Sequence, residues 1–447
     1  MPRVGKGRCR PLPWLLVLAI AGCASYHPAP LNLAAQLQPS IAALDHAGLQ
    51  IPANGALSLR DVAELAVLNN PDLAAARAQR GIAQADLLAA GLPPDPSISG
   101  GFEALLGGPG DVSAISGSLM QDVSALITYK ADKQAAQAGL SQVDAGILWQ
   151  EWQVASQAEQ LCVTLDGDAR MIASLRANAA GLNAVNQSTA KQVAAHNLTL
   201  NEASTSMAAL ATVQTALNTA EQGLSHDRDQ LDALLGLEPG TEIPLAPPQV
   251  QTVSAAQAKQ ALDTLAQRRP DLIALSYGYT QADAKLRGAI LSQFLPVSIG
   301  AAGGRDTANV MSAGPQVTLT LPLFNRNRAG IASARATRAA LGAQFRASLA
   351  AADGGARALL ADAALLRAQN AAADAQARGA GVIAVQARHA YAAGMLDALS
   401  AANLQTAAGE RGREAIALNT QARIAELSLA TLLGLGLPPI ATPELAP

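Results

Sequence analysis

Aromatic side chains make up only 3% of this 447-residue chain, too few for the thick core of an ordinary globular domain. Hydrophobic residues still reach 50% and alanine dominates, so the shortage points to helices that approach closely on small side chains. Positive charge is short as well. The formal net charge is −3, which argues against a nucleic-acid partner. Cysteine is confined to Cys9, Cys23 and Cys162. After the first residues no apolar run reaches about 18 positions, so nothing is expected to cross a membrane as a helix. Proline is absent between Pro109 and Pro239 and again between Pro322 and Pro438, and such runs permit very long helices.

What is present starts with a targeting signal. Arg3, Lys6, Arg8 and Arg10 form a basic head, Leu12 to Ala21 an apolar stretch, and Ile20-Ala21-Gly22-Cys23 places small residues before a cysteine. That tetrapeptide resembles a bacterial lipobox. The resemblance implies a signal peptide over residues 1–22, lipidation of Cys23, and, with Ala24 next, an outer-membrane destination. Cys9 leaves with the signal and Cys162 stands alone between Leu161 and Val163, so no intrachain disulfide is available. Cys162 reads as a small buried hydrophobe.

The chain then resembles itself at an offset of about two hundred residues. Asn70-Pro71-Asp72-Leu73 returns as Arg269-Pro270-Asp271-Leu272, Pro96-Ser97-Ile98 as Pro296-Val297-Ser298-Ile299, and Leu234-Leu235-Gly236-Leu237 as Leu432-Leu433-Gly434-Leu435. A period this long is a duplicated half-molecule rather than a solenoid unit. The reading places a lipidated arm over residues 23–56, a first repeat over 57–243, a linker over 244–254, a second repeat over 255–437 and a tail over 438–447. The first repeat opens on a short helix from Leu59 to Asn69-Asn70, and a second helix follows with Pro71 in its first turn, a start that returns at Pro270. Each repeat continues in a hairpin with alternating faces, 97–121 and 296–322. In the first, Ile98, Gly100 and Phe102 point one way; in the second, Val297, Ile299 and Ala301 do so, Gly303 to Asn309 form the loop, and Val317, Leu319 and Leu321 alternate with polar residues. A long helical hairpin follows. Ile147, Val154, Leu161, Leu175 and Leu182 keep a seven-residue spacing, interrupted by Asp168, as in a coiled coil. The reversals are placed at Asn197-Leu198-Thr199 and Gly394-Met395-Leu396-Asp397, with Asn197 and Gly394 taking the left-handed backbone of a helix end.

Four amphipathic strands cannot close a barrel, and open edges are not tolerated in lipid. Oligomerisation is therefore required, and three copies would supply twelve strands. The expected fold class is an α+β membrane protein: a homotrimeric 12-stranded β-barrel continued by a long α-helical periplasmic barrel.

Those repeat starts, the Leu319-Thr320-Leu321-Pro322-Leu323-Phe324 strand end, the Arg388, Tyr391 and Gly394 tip, and the two Leu-Leu-Gly ends resemble the TolC-like outer-membrane efflux family over essentially the whole mature chain. Leu321 to Arg328 followed by Ile331-Ala332 is most similar to members serving heavy-metal RND exporters, with lipidated multidrug members next. The resemblance implies a homotrimeric duct in outer-membrane lipid, docked at its periplasmic tips to an adaptor protein and an inner-membrane RND pump, with no cofactor and no chemistry of its own. It implies a gate at the tips, with Asp397 and Leu399 as constriction candidates and Asn403 where many members carry an acid. Asn197, Leu198, Thr199, Arg388, Gly394, Met395 and Leu396 are the adaptor-docking candidates. A helix-start charge is the competing role for Asp397.

No catalytic constellation stands out. His196 and His389 lack a second ligand at helical spacing, so no metal site is assigned. Glu151, Glu159, Asp166 and Asp168 read as solvated or lumen-facing charges, and Trp149 and Trp152 as packing against a neighbouring helix. The competing classes are a lipid-anchored coiled-coil scaffold, which leaves the two hairpins unexplained, and a hydrolase, for which no site meets the geometric requirements.

Overall fold

The computed structural model describes residues 26–48, 55–110, 112–197, 199–294 and 296–437. Cys23, Leu198 and the tail after Leu437 lie outside the described residues. The chain divides into two units, the first ending at Leu37. In that first unit residues 26–37 carry no regular secondary structure and are exposed.

The second unit begins at Gln38. Helix α1 (Leu59–Asn69) starts on a capping box in which Ser58 and Asp61 satisfy each other's backbone N–H, two donors that would otherwise be orphaned. Its Val62, Leu65 and Ala66 are fully buried. Helix α2 (Pro71–Gly91) follows at once, with Pro71 in its first turn and the Asn70 side chain accepting from Leu73 N–H at 3.0 Å. Strands β1 (Ser97–Glu103) and β2 (Ala114–Asp122) lead into α3 (Ser124–Ala194), whose 71 residues span about 105 Å at 1.5 Å each. Helix α4 (Leu200–Leu235) returns alongside it.

The second repeat runs α5 (Ala255–Asp263), the single turn α6 (Leu265–Arg268), α7 (Pro270–Leu291), β3 (Val297–Arg305), β4 (Met311–Leu319), α8 (Arg328–Ala392) and α9 (Ala398–Leu432). The β3 strand continues through Arg305, so the connecting loop is shorter than residues 303–309. Antiparallel pairing with β4 out to Arg305 and Met311 overrides the turn signal of Gly303 and Gly304.

Helix α3 is the axis of the unit, packing against α1, α2, α4, α7 and α9. The heptad residues Leu161, Leu175 and Leu182 are buried, and Ile147 and Val154 half-buried. Much of the remaining core is alanine: Ala258, Ala356, Ala363 and Ala425 form one cluster with Leu429 and Leu433. The low aromatic content has its explanation here. Between α3 and α9, glycines receive polar side chains: Thr420 sits on Gly167, Gln405 on Gly181, and Asn178 of α3 on Gly409. Gly139 and Gly278 receive Gln281 and Gln142 in the same way between α3 and α7.

The segment joining the repeats is stitched down rather than loose. Leu57 and Leu245 form a parallel bridge, as do Gln38 and Leu237. Arg423 donates to the Pro248 carbonyl and to Asp166. The buried Glu426 accepts from Val253 N–H at 2.9 Å and faces Arg367 at 3.3 Å. Part of the expected N-terminal arm belongs to the core too, since Leu44 is buried beside Leu57 and Leu235.

Candidate functional site

The four strands form one antiparallel sheet in sequence order. Residues directly opposite share a face, so the registers sort every side chain. Ile98 meets Leu119, which meets Ala301, which meets Pro315; Phe102 meets Ile115, and Ile299 meets Val317. One face is therefore apolar in all four strands. The other carries Ser99, Ser118, Ala302, Ser298, Gln316 and Thr318, with the Ser99 and Ser118 hydroxyls 2.8 Å apart. The apolar face is uncovered: Ile98 is 84% exposed, Phe102 68% and Val317 60%. Its polar members sit at the two ends, Gln121 beside the helices, donating to the Pro94 carbonyl at 2.9 Å, and Arg305 beside the hairpin loops, donating to the Ser113 carbonyl. Nine-residue strands of about 3.3 Å per residue, tilted by about 40°, would stand roughly 23 Å tall, close to the apolar band of a membrane barrel. Strands β1 and β4 each keep one edge unpaired within the chain.

At the far end of the helical hairpins, both reversals are built alike. His196 N–H donates to Val193 and Asn197 N–H to Gln192; Gly394 N–H donates to Tyr391 and Met395 N–H to Ala390. This is the Schellman closure, in which the residue just past the helix end is left-handed. The left-handed residues are His196 (φ 61°) and Gly394 (φ 70°). His196, not Asn197, is thus the counterpart of Gly394: the hydrogen-bond pattern fixes the register one residue earlier than the Asn-for-Gly preference suggests. The same closure ends α4 and α9, at Gly236 and Gly434, and Gly434 lies as far after Gly236 as Gly394 after His196. Beyond the second reversal Asp397 caps α9, its carboxylate accepting from Ser400 N–H at 2.8 Å, and the Ser400 N–H and hydroxyl hold its carboxyl below the usual range. Met395, Leu399, Asn403 and Arg388 are exposed, Leu396 is half-buried, and Asn197 and Thr199 are exposed at the other tip. The tips are tied together by Tyr391, whose hydroxyl lies 2.9 Å from that of Ser188.

Between sheet and tips the acids expected to be solvated or lumen-facing are half-buried, and two of them are paired. Glu151 pairs with Arg77 at 2.7 Å and Asp166 with Arg423 at 2.8 Å. Burial pushes Glu159 up to about 6. Burial, then the neighbouring Asp227, pushes Asp168 up to about 6. The interruption of the heptad at Asp168 was the available signal for that pair. Trp152 donates to the Thr431 carbonyl at 3.1 Å, and Arg269 stacks on Trp149. The Cys162 thiol is buried and pushed up to about 12. Among the described residues no group of three His, Cys, Asp or Glu side chains is disposed to hold a metal ion, and no helix is long and apolar enough to cross a membrane.

No protein-family model matches the chain, and no curated protein sequence matches it. Solved structures do. A membrane protein from Pseudomonas aeruginosa superimposes with a TM-score of 0.73 at 20% identity, covering 92% of this chain and 97% of its own. The outer-membrane channel OprN gives 0.72 at 16%, covering 91% and 98%, and the outer membrane protein VceC of Vibrio cholerae 0.71 at 20%, covering 84% and 96%. The chain has the TolC-like fold of outer-membrane channels.

Proposed function

We propose that the protein is the outer-membrane exit duct of a tripartite RND-type efflux system. The observation that carries the reading is the sheet: four strands in one register present an uncovered apolar face, leave two edges open, and pass into helices about 100 Å long. An edge in lipid must be paired. Antiparallel closure of β4 on β1 of the next copy does this for three chains and twelve strands, with the Ser- and Thr-bearing face turned to a water-filled lumen. Cys23 carries the lipid anchor, and the six helical-hairpin tips of the assembly, two per copy, face the periplasm.

Such a duct does no chemistry. Energy comes from the pump, and this subunit supplies a path and a gate. At the tips a three-fold assembly presents each side chain as a ring. Asp397 and Leu399 form the constriction in this reading, Asn403 supplies an uncharged ring above it, and the exposed residues Asn197, Thr199, Arg388, Gly394 and Met395, together with the half-buried Leu396 and with Leu198, meet the adaptor. The cargo we assign is heavy-metal cations, on the likeness of the Leu321 to Arg328 segment to metal-exporting members.

Two measurements test the reading. Membrane-extracted protein should migrate as an SDS-resistant trimer that heat converts to monomer; a soluble monomer after removal of the lipid would overturn the duct. A deletion strain should lose tolerance to zinc, cobalt or cadmium. Unchanged tolerance to all three with raised drug sensitivity would reassign the cargo to drugs and leave the duct standing.

A further inference from the structure

The two repeats differ where the sheet hands the chain to the long helices. After β2 a single residue, Val123, precedes α3, whereas residues 320–327 separate β4 from α8. The added segment has a definite shape. Asn327 donates its amide to the Ala289 carbonyl at 2.8 Å, Arg328 N–H donates to Asn325 at 3.0 Å, and Leu323 N–H to Leu321 at 2.9 Å. Arg326 and Asn327 both hold positive φ, 44° and 51°, a conformation that residues with a Cβ seldom adopt.

What this shape presents is apolar. Leu321, Leu323 and Phe324 are 61%, 65% and 94% exposed. The chain has four phenylalanines, and only Phe345 packs into the helical core. Phe102 lies on the apolar sheet face near the hairpin loops, while Phe294 and Phe324 stand exposed at the helix end. A chain this poor in rings has put three of them at the two ends of its apolar band, where aromatic girdles meet a membrane's interfaces. Immediately after Phe324 come Arg326 and Arg328, both exposed and neither with a guanidinium partner among the described residues.

We infer that residues 321–328 form a headgroup site for anionic phospholipid in the periplasm-facing leaflet. Leu321, Leu323 and Phe324 enter the acyl boundary, and Arg326 and Arg328 take the phosphate, for which a planar, weakly hydrated guanidinium is suited. Lipid rather than a protein is the occupant because the segment continues the apolar face of the sheet: Leu321 is the next alternate residue after Val317 and Leu319. The inference rests on the barrel reading above.

The test uses the full-length protein reconstituted into phosphatidylcholine vesicles with or without phosphatidylglycerol, with retained lipids counted by native mass spectrometry. The wild type should retain phosphatidylglycerol preferentially, and Arg326→Gln/Arg328→Gln should lower that preference roughly fivefold per arginine. Arg326→Lys/Arg328→Lys should keep most of it, and Arg378→Gln, on the exposed surface of α8, should change nothing. Equal retention of the two lipids by an inserted wild type, or an unchanged preference in the glutamine variant, would overturn the inference while leaving the duct intact. A wild type that floats with neither vesicle would remove the barrel reading and this site with it.

Discussion

The guanidinium of Arg269 lies over the ring of Trp149, 4.7 Å from its centroid. The same side chain holds Asp271 at 2.7 Å and reaches the Leu432 carbonyl at 3.3 Å, so it joins α3, the start of α7 and the end of α9. In the first repeat Asn70 reaches the Leu234 carbonyl at 3.0 Å. Both repeats thus satisfy the C-terminal carbonyls of a returning helix with the residue before a Pro-Asp, one by an amide and one by a cation.

Arg269 is buried, so removing it leaves both Asp271 and the Leu432 carbonyl short of a partner. Arg269→Met keeps the apolar stem and should cost about 2–4 kcal/mol, read as a lower urea midpoint. Arg269→Lys should recover only part, because an ammonium cannot stack and fork at once.

The glycine-seated amides make a second prediction. A Cβ at Gly181 would overlap the Gln405 amide, and the Gln405 Oε1 atom is buried without a partner among the described residues. Gly181→Ala should therefore cost about 1–3 kcal/mol by overpacking. In a Gln405→Ala background the same change should cost much less, because the side chain that clashes is gone. Equal costs in both backgrounds, from a double-mutant cycle in urea, would show that the two residues are not coupled.

Asp168 should make stability depend on pH. Its folded carboxyl titrates near 6 against about 4 when unfolded, so the folded state binds the proton more tightly. The stabilisation is complete below about 4 and is lost as pH rises through 6. Glu159, also near 6, acts in the same direction. Melting temperature should rise as pH falls from 7 to 5, and Asp168→Asn should flatten part of that rise. A wild type that melts higher at pH 7 than at pH 5 would contradict the assignment.

How far these features could be read from sequence differs by residue. Pro71 and Pro270 mark helix starts because proline costs nothing in a first turn, and the Gly236, Gly394 and Gly434 ends are legible because left-handed backbone favours glycine. His196 was missed because the adjacent Asn197 is the more familiar left-handed residue at a helix end, although histidine too adopts that conformation more often than most residues. Asp168 was visible as a broken heptad, but its neighbour Asp227 lies on another helix and no local pattern pairs them. The polar side chains on Gly167, Gly181 and Gly409 are equally non-local. The tip assignments differ in kind again, since a ring or a docking surface exists only once copies and partners are assembled.

The sharpest test of the sheet compares neighbours in one strand. Ala301 lies on the apolar face between Leu119 and Pro315, and Ala302 on the polar face between Ser118 and Gly314. The two alanines are adjacent in β3 and differ mainly in the face they lie on, so a lysine at each compares the faces. Ala301→Lys places a charge against lipid near mid-height of the band, which costs about 2–4 kcal/mol at a bilayer midplane. Three-fold assembly would repeat the penalty in every copy, so little SDS-resistant trimer should form. Ala302→Lys should assemble normally and change conductance instead, because its ammonium stays hydrated in the lumen. Equal assembly of both variants would mean that the apolar face does not meet lipid, and the barrel would have to be abandoned.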